Sequence, residues 1–246
     1  MIQEIIAHRG YTGKYPENTR LAFEKAAELP IWGIELDVHL SKDQEVVIIH
    51  DEAIDRTSNG SGLVKDMTLE ELRSYQFYGA FPELENQADD GLTIMTLDEF
   101  LAWMQPLSIK VNIELKTNIF AYEGIVQKVI DLIKHYDLAD RVLISSFNHR
   151  SIRECMTLAG DLPLEYGFLT GASLLEPGDY CKAKGVGHYH PFYGSLVPAD
   201  IINCHQHGIQ INAYTINDKA AMKAMIDLGL DRLITNFPED ALEMLR

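Results

Sequence analysis

Apolar positions along this chain follow two periods. Short runs such as Ile5-Ile6-Ala7, Val46-Val47-Ile48-Ile49 and Val142-Leu143-Ile144 read as buried strands. Longer stretches with apolar residues three and four apart read as amphipathic helices. The first run predicts a strand over 4–8. Ala22, Ala26 and Leu29 share one face and predict a helix over 19–29, capped by Asn18 or Thr19. Strands are expected at 33–40 and 45–50. The alternation then breaks: residues 52–108 hold turn chemistry in Ser58-Asn59-Gly60-Ser61-Gly62 and two short helices, each opened by a capping box, Thr68 with Glu71 and Thr96 with Glu99. It resumes with a strand at 111–115 and a helix over 121–135, whose inward face is Tyr122, Ile125, Val126, Val129 and Ile133. A strand at 142–146, a helix near 149–158 and a strand at 164–169 follow. The remainder reads as a strand near 186–190, a helix near 198–207, a strand at 209–213, a helix from Asp218 to Gly229 and a strand at 232–234.

Repeated strand–helix units fit a closed parallel barrel or an open doubly wound sheet. No GxGxxG or GxxxxGK[ST] follows the first strand. About eight strands in 246 residues favour an α/β fold of the (β/α)8 TIM-barrel type, in which chemistry sits at the carboxyl ends of strands. Residues 1–246 read as a single domain, with 52–108 as a small insertion after the second βα unit.

Charged residues interrupt the strand runs at those ends. Ile34-Glu35-Leu36-Asp37-Val38 is apolar except for two acids two residues apart, which a strand points the same way. Desolvation and mutual repulsion forbid such a pair in a core unless something positive sits between them. The first strand ends in His8-Arg9, the run 46–49 ends in His50-Asp51, and Ile113-Glu114-Leu115-Lys116 repeats the same-face device. A late strand ends at Tyr214. Three carboxylates at one mouth form a hard oxygen site suited to Mg²⁺, Ca²⁺ or Mn²⁺. Glu35, Asp37 and Glu114 carry three negative charges against the two positive charges of Arg9 and Lys116. A divalent cation turns the balance positive, and one phosphodiester anion then neutralises it. Arg9 can fork onto phosphate oxygens, Lys116 supplies a point charge, and His8 and His50 can shuttle protons.

Each group has a plainer reading. A lone strand-end histidine is usually structural, and Arg9–Glu35 or Lys116–Glu114 could be packing ion pairs. Asp51 could merely start a turn. His205 and His207 read as a solvated helix end, Met222 and Met225 as core, and His188 and His190 either as structural residues or as lining the pocket. Joint placement favours the functional reading: seven ionisable groups (His8, Arg9, Glu35, Asp37, His50, Glu114 and Lys116) at four consecutive strand ends are too many buried charges for packing alone.

Composition narrows the partners. A formal net charge of −16 argues against nucleic acid and anionic membrane surfaces, while leaving room for a small anionic substrate. Cys155, Cys181 and Cys204 are odd in number and far apart, which suggests free thiols. With no basic leader and no run near ~18 apolar residues, a cytoplasmic protein without stable membrane insertion is expected; self-association is left open.

At these residues the sequence resembles the glycerophosphodiester phosphodiesterase family, which shares its barrel with phosphatidylinositol-specific phospholipases C. Ala7-His8-Arg9-Gly10 with Pro16-Glu17-Asn18-Thr19, Ile34–Val38 with Lys42-Asp43, and His50-Asp51 with Arg56-Thr57 and Asn59-Gly60 match three motifs. Ile113–Lys116, Ser145-Ser146-Phe147-Asn148 and Tyr214-Thr215-Ile216-Asn217 match three more. The resemblance covers nearly the whole chain. It implies a (β/α)8 barrel with a small insertion and a divalent metal on Glu35, Asp37 and Glu114. It also implies acid–base histidines at His8 and His50, phosphate contacts from Arg9 and Lys116, and an aromatic substrate wall at Tyr214. The family usually has Trp at the position of Tyr214 and Asp at the position of Asn236. The implied reaction is hydrolysis of glycerophosphodiesters to sn-glycerol 3-phosphate and an alcohol. Alternatives are a phospholipase D-like enzyme on lysophospholipids or phosphoinositols, or a non-catalytic phosphoester-binding protein. An apolar rim on the insertion, with Tyr78, Phe81 and Leu84 as candidates, would favour lysophospholipids; acidic Glu83, Glu85, Asp89 and Asp90 disfavour an anionic membrane.

Overall fold

Eight strands pair in parallel and close on themselves. The computed structural model describes residues 4–85 and 91–245. The barrel strands are β1 (Glu4–His8), β2 (Gly33–Leu40), β4 (Lys110–Leu115), β5 (Val142–Ser146), β6 (Glu165–Thr170), β7 (His188–Pro191), β8 (Gln210–Ala213) and β9 (Arg232–Thr235). They neighbour one another in that order, and β9 returns to β1 with Thr235 opposite Ala7. This is the expected (β/α)8 barrel. Helices α1 (Arg20–Ala27), α3 (Leu97–Met104), α4 (Ile125–His135), α5 (His149–Ala159), α6 (Pro177–Lys184), α7 (Pro198–Gln206), α8 (Lys219–Leu228) and α9 (Pro238–Met244) follow the barrel strands, and α2 (Leu69–Arg73) lies between β2 and α3.

Alternation along β2 explains why every residue of this strand is buried yet one face is polar. Ile34, Leu36, Val38 and Leu40 join the main core with Phe23 and Phe100, whose rings meet edge to face at 4.9 Å. Glu35, Asp37 and His39 alternate with them and point to the other side.

The run ending in His50 departs from expectation. It forms β3 (Val46–Ile48), which is antiparallel to β2, with Ile48 opposite Val38 and Val46 opposite Leu40. It is a hairpin partner rather than a stave of the barrel. A turn of only Ser41–Glu45 joins the two strands, too short for a parallel crossover. Between β3 and α3 a second small core gathers Val47, Ile49, Ile54, Val64, Leu72, Phe77 and Ile94. Helix α3 belongs to the main core through Leu97, Phe100, Leu101 and Met104.

One further detail differs from the sequence pattern. Tyr122 precedes α4 rather than lying on it; Gly124, in the left-handed region at φ 83°, starts the helix at Ile125. The contacts of His188 and His190 favour the structural one of their two readings. His190 is fully buried and meets the Asn212 amide at 2.9 Å, and His188 sits between Glu165 at 3.2 Å and Arg232 at 3.4 Å. Burial, then His188 and Arg232, push the His190 imidazole well below its usual range and keep it neutral. Among the described residues, no helix is long and apolar enough to cross a membrane.

Candidate active site

The carboxyl end of β1 turns sharply. Arg9 has φ 55° and Gly10 φ 86°, and a Cβ on Gly10 would lie 2.8 Å from Ala22 of α1. This turn brings the Arg9 N–H to Glu35 Oε2 at 2.9 Å. It also carries the guanidinium between Glu17 Oε1 at 2.8 Å and Asp37 Oδ2 at 3.3 Å. Asp37 is further held by the Asn18 side-chain amide at 2.9 Å, and Asn18 adopts the left-handed φ of 55° that this reach requires. Just beyond β4, Lys116 Nζ approaches Glu114 Oε1 at 2.9 Å and Asp37 Oδ1 at 3.7 Å.

Glu35, Asp37 and Glu114 thus converge, each offering a ligand oxygen within 4.8 Å of the others, and all three are buried. Their charges are unequal in cost. Burial, reinforced by Asp37 and Glu114, holds Glu35 well above the usual carboxylate range. Burial, then Asp37, raises Glu114 to about 7. Burial also acts upward on Asp37, but Arg9 and Lys116 outweigh it and hold this carboxyl below its usual value. Asp37 Oδ1 has no hydrogen-bond partner. Three buried hard-oxygen donors, two of them with an oxygen that lacks a hydrogen-bond partner, fit a divalent cation of the Mg²⁺ or Ca²⁺ kind.

The two candidate histidines flank this cluster, and each commits Nδ1. His8 Nδ1 lies 2.7 Å from Asn236 Oδ1; the amide oxygen accepts, so Nδ1 carries the proton and Nε2 faces Glu35 at 4.0 Å. Burial, then Arg9, push His8 down to about 3. His50 Nδ1 meets Asp51 Oδ1 at 2.5 Å. Asp51 therefore does more than start a turn. It also accepts from Arg56, which forks onto Glu17, so ion pairs run unbroken from Asp37 through Arg9, Glu17 and Arg56 to Asp51 beside His50. Tyr214 closes the opposite wall. It lies with His8, Glu35, Asn112, Glu114, Leu169 and Ile234 around a small cavity, donates to the Thr170 carbonyl at 3.0 Å and meets Phe147 edge to face. A cleft of about 200 Å³ beside it is lined by His8, Arg9, Thr12, Glu17, Asn236 and Phe81.

The sequence-predicted set of His8, Arg9, Glu35, Asp37, His50, Glu114, Lys116 and Tyr214 is therefore found at one end of the barrel. Sequence reading gave no site role to Glu17, Asn18, His39 and Arg56. His39 was detectable, because it continues the same-face series of Glu35 and Asp37.

A family model described as "Glycerophosphoryl diester phosphodiesterase family" matches residues 8–240. The chain belongs to this family. A glycerophosphodiester phosphodiesterase of Caldanaerobacter subterraneus subsp. tengcongensis is 40% identical over 98% of this chain and 97% of its own length. One from Bacillus altitudinis is 39% identical, with the same coverage. Among solved structures, an Oleispira antarctica phosphodiesterase in complex with the product sn-glycerol-3-phosphate superposes with a TM-score of 0.89 at 26% identity, covering 99% of this family member and 97% of that chain.

Proposed function

We propose that this protein hydrolyses glycerophosphodiesters to sn-glycerol 3-phosphate and an alcohol. The observation that carries the reading is the convergence of two Nδ1-anchored histidines, two cations and three buried carboxylates at one barrel mouth, in a member of this family. The product-bound relative supports the glycerol 3-phosphate half of the substrate.

A divalent ion held by Glu35, Asp37 and Glu114 would supply positive charge to the non-bridging phosphate oxygens. Mg²⁺ and Ca²⁺ fit best, and Mn²⁺ is the third choice. Arg9 and Lys116 orient the diester, with Arg9 offering the guanidinium edge that Glu17 and Asp37 do not occupy. The histidines divide the proton transfers: one removes the proton from the attacking hydroxyl, and the other delivers one to the departing alkoxide. Both do so from Nε2. Tyr214 walls the substrate. The attacking hydroxyl belongs to water or to the glycerol 2-position, the latter passing through a cyclic phosphate.

One observation favours a second substrate class. Tyr78, Phe81 and Leu84 are half-buried, so the insertion presents no apolar rim among its described residues; Asp89 and Asp90 lie outside them. Exposed apolar side chains instead cluster on successive loops after β4 to β7: Ile119, Phe147, Leu175, and Phe192 with Val197. Residues 117–124, 147–149, 171–176 and 192–197 contain no Lys or Arg, which suits a single acyl chain better than an anionic bilayer.

Purified protein with Mg²⁺, Ca²⁺ or Mn²⁺ should release glycerol 3-phosphate from glycerophosphocholine or glycerophosphoethanolamine, and EDTA should abolish release. Full activity after exhaustive chelation would overturn the metal assignment. Lysophosphatidylcholine in the same panel separates the two substrate classes, and binding without turnover of any diester would leave a phosphoester-binding protein.

A further inference from the structure

We propose that His39 and Tyr122 are a positioning pair that fixes the backbone of His50 and so aims its imidazole. The inference rests on the acid–base reading of His50 above and concerns residues that touch neither the diester nor the cation.

His39 is fully buried on β2. Its Nε2 lies 3.0 Å from the His50 carbonyl oxygen and its Nδ1 lies 2.9 Å from the Tyr122 hydroxyl. A carbonyl can only accept, so the proton of a neutral His39 resides on Nε2, and Nδ1 must accept from Tyr122. Tyr122 thereby selects the one tautomer that can hold His50. The rings meet edge to face at 5.4 Å and 90°, which fixes their mutual orientation as well as their contact. Tyr122 reaches this point from the loop after β4 at φ 44°, a backbone conformation unfavourable for an aromatic residue.

His50 needs such a restraint. Ile49 still donates its N–H to the Asp37 carbonyl at 3.1 Å, and beyond it the chain leaves the β2 edge. The ring is held at Nδ1 by Asp51, the adjacent residue, which moves with it. Asp51 can set the ring's rotation but not the place of its Cα. The contact from His39 supplies that second anchor from β2, the strand that also carries Glu35 and Asp37.

The test compares His39→Leu, His39→Gln and Tyr122→Phe with wild type and with His50→Ala. Turnover of glycerophosphocholine is read as glycerol 3-phosphate, and Mn²⁺ binding is measured separately by calorimetry. His39→Leu should lower kcat by about 100-fold, the cost typical of an ångström-scale misplacement, with KM and Mn²⁺ affinity within about twofold of wild type. Tyr122→Phe, which removes one atom, should lower kcat by about tenfold. His39→Gln should recover most of the loss, because its amide can donate to the same carbonyl. Unchanged kcat in both His39→Leu and Tyr122→Phe would overturn the proposal. So would a Gln variant no better than Leu, or Mn²⁺ affinity falling in step with kcat. If His39→Leu does not fold, the Tyr122→Phe and His39→Gln measurements decide. An active His50→Ala would instead overturn the acid–base role of His50; an inactive His50→Ala beside a fully active His39→Leu would defeat this inference alone.

Discussion

Asn236 and Asp51 show how differently two histidines can be prepared for related work. His8 meets a neutral amide and His50 a carboxylate, yet both are held by Nδ1. If the contact to Asn236 matters only as an acceptor, Asn236→Asp should keep kcat within a few-fold, while Asn236→Leu should lose about tenfold or more; steady-state kinetics decide. Asp51 makes a second, separable contribution. Burial would raise its carboxyl, but Arg56 and then His50 outweigh burial and hold it at about 2. A folded-state value below the unfolded one gives stability that is present above pH ~4 and lost as pH falls toward ~2. With the group partly exposed, this is of the order of 1 kcal/mol after solvent screening. The urea midpoint of Asp51→Asn should therefore lie below wild type at pH 6 and converge with it near pH 2. At this scale the sequence disclosed much of the site, because Glu35-Leu36-Asp37 and Glu114-Leu115-Lys116 have spacings that only a strand makes meaningful. It could not disclose the partner of His8, which lies 228 residues away. It also could not show that Arg9 is shared between Glu17 and Asp37, since that depends on a left-handed turn.

Elements were legible where periodicity and caps agreed. Thr19, Thr68, Thr96 and Asp218 all cap the helices expected of them. Helices α6 and α9 escaped notice because each is short, starts at a proline and carries little apolar periodicity. The direction of β3 escaped because an apolar run does not state whether its neighbour is parallel. We read the segment around 52–108 as an insertion within one domain, a reading supported by the separate small core that Ile54, Val64, Leu72, Phe77 and Ile94 build onto Val47 and Ile49. Its last helix, however, is shared with the barrel. Thr96 caps that helix through a complete capping box, so Thr96→Ala should cost about 1 kcal/mol and lower the melting temperature, with KM for the diester unchanged. A larger effect on KM than on stability would contradict the separation of α3 from the site.

For the whole molecule, the barrel arranges its sides unequally. Strands β1, β2 and β4 with the β3 segment deliver the charged groups, and the loops after β4 to β7 deliver exposed apolar ones. The three cysteines lie in the outer helices α5, α6 and α7, all buried and all pushed up to about 12 by burial. Native protein should therefore be nearly inert to a thiol reagent at pH 8, with three equivalents reacting once urea unfolds it; a fast-reacting thiol in the folded state would contradict this placement.

Strand β2 presents one edge to two partners in succession. His8 of β1 stands opposite Glu35, and Ile48 of β3 stands opposite Val38 on the same side. The strand thus serves as a ruler on which both histidine-bearing segments are marked, three residues or about 10 Å apart at the usual strand rise. Loops that wander after either mark leave the ruler untouched. The stretch between Arg56 and α3 can therefore lengthen, shorten or change its chemistry during evolution without retuning the gap across which a phosphate must fit. A one-residue slip in the Ser41–Glu45 turn would turn His50 away from its counterpart altogether.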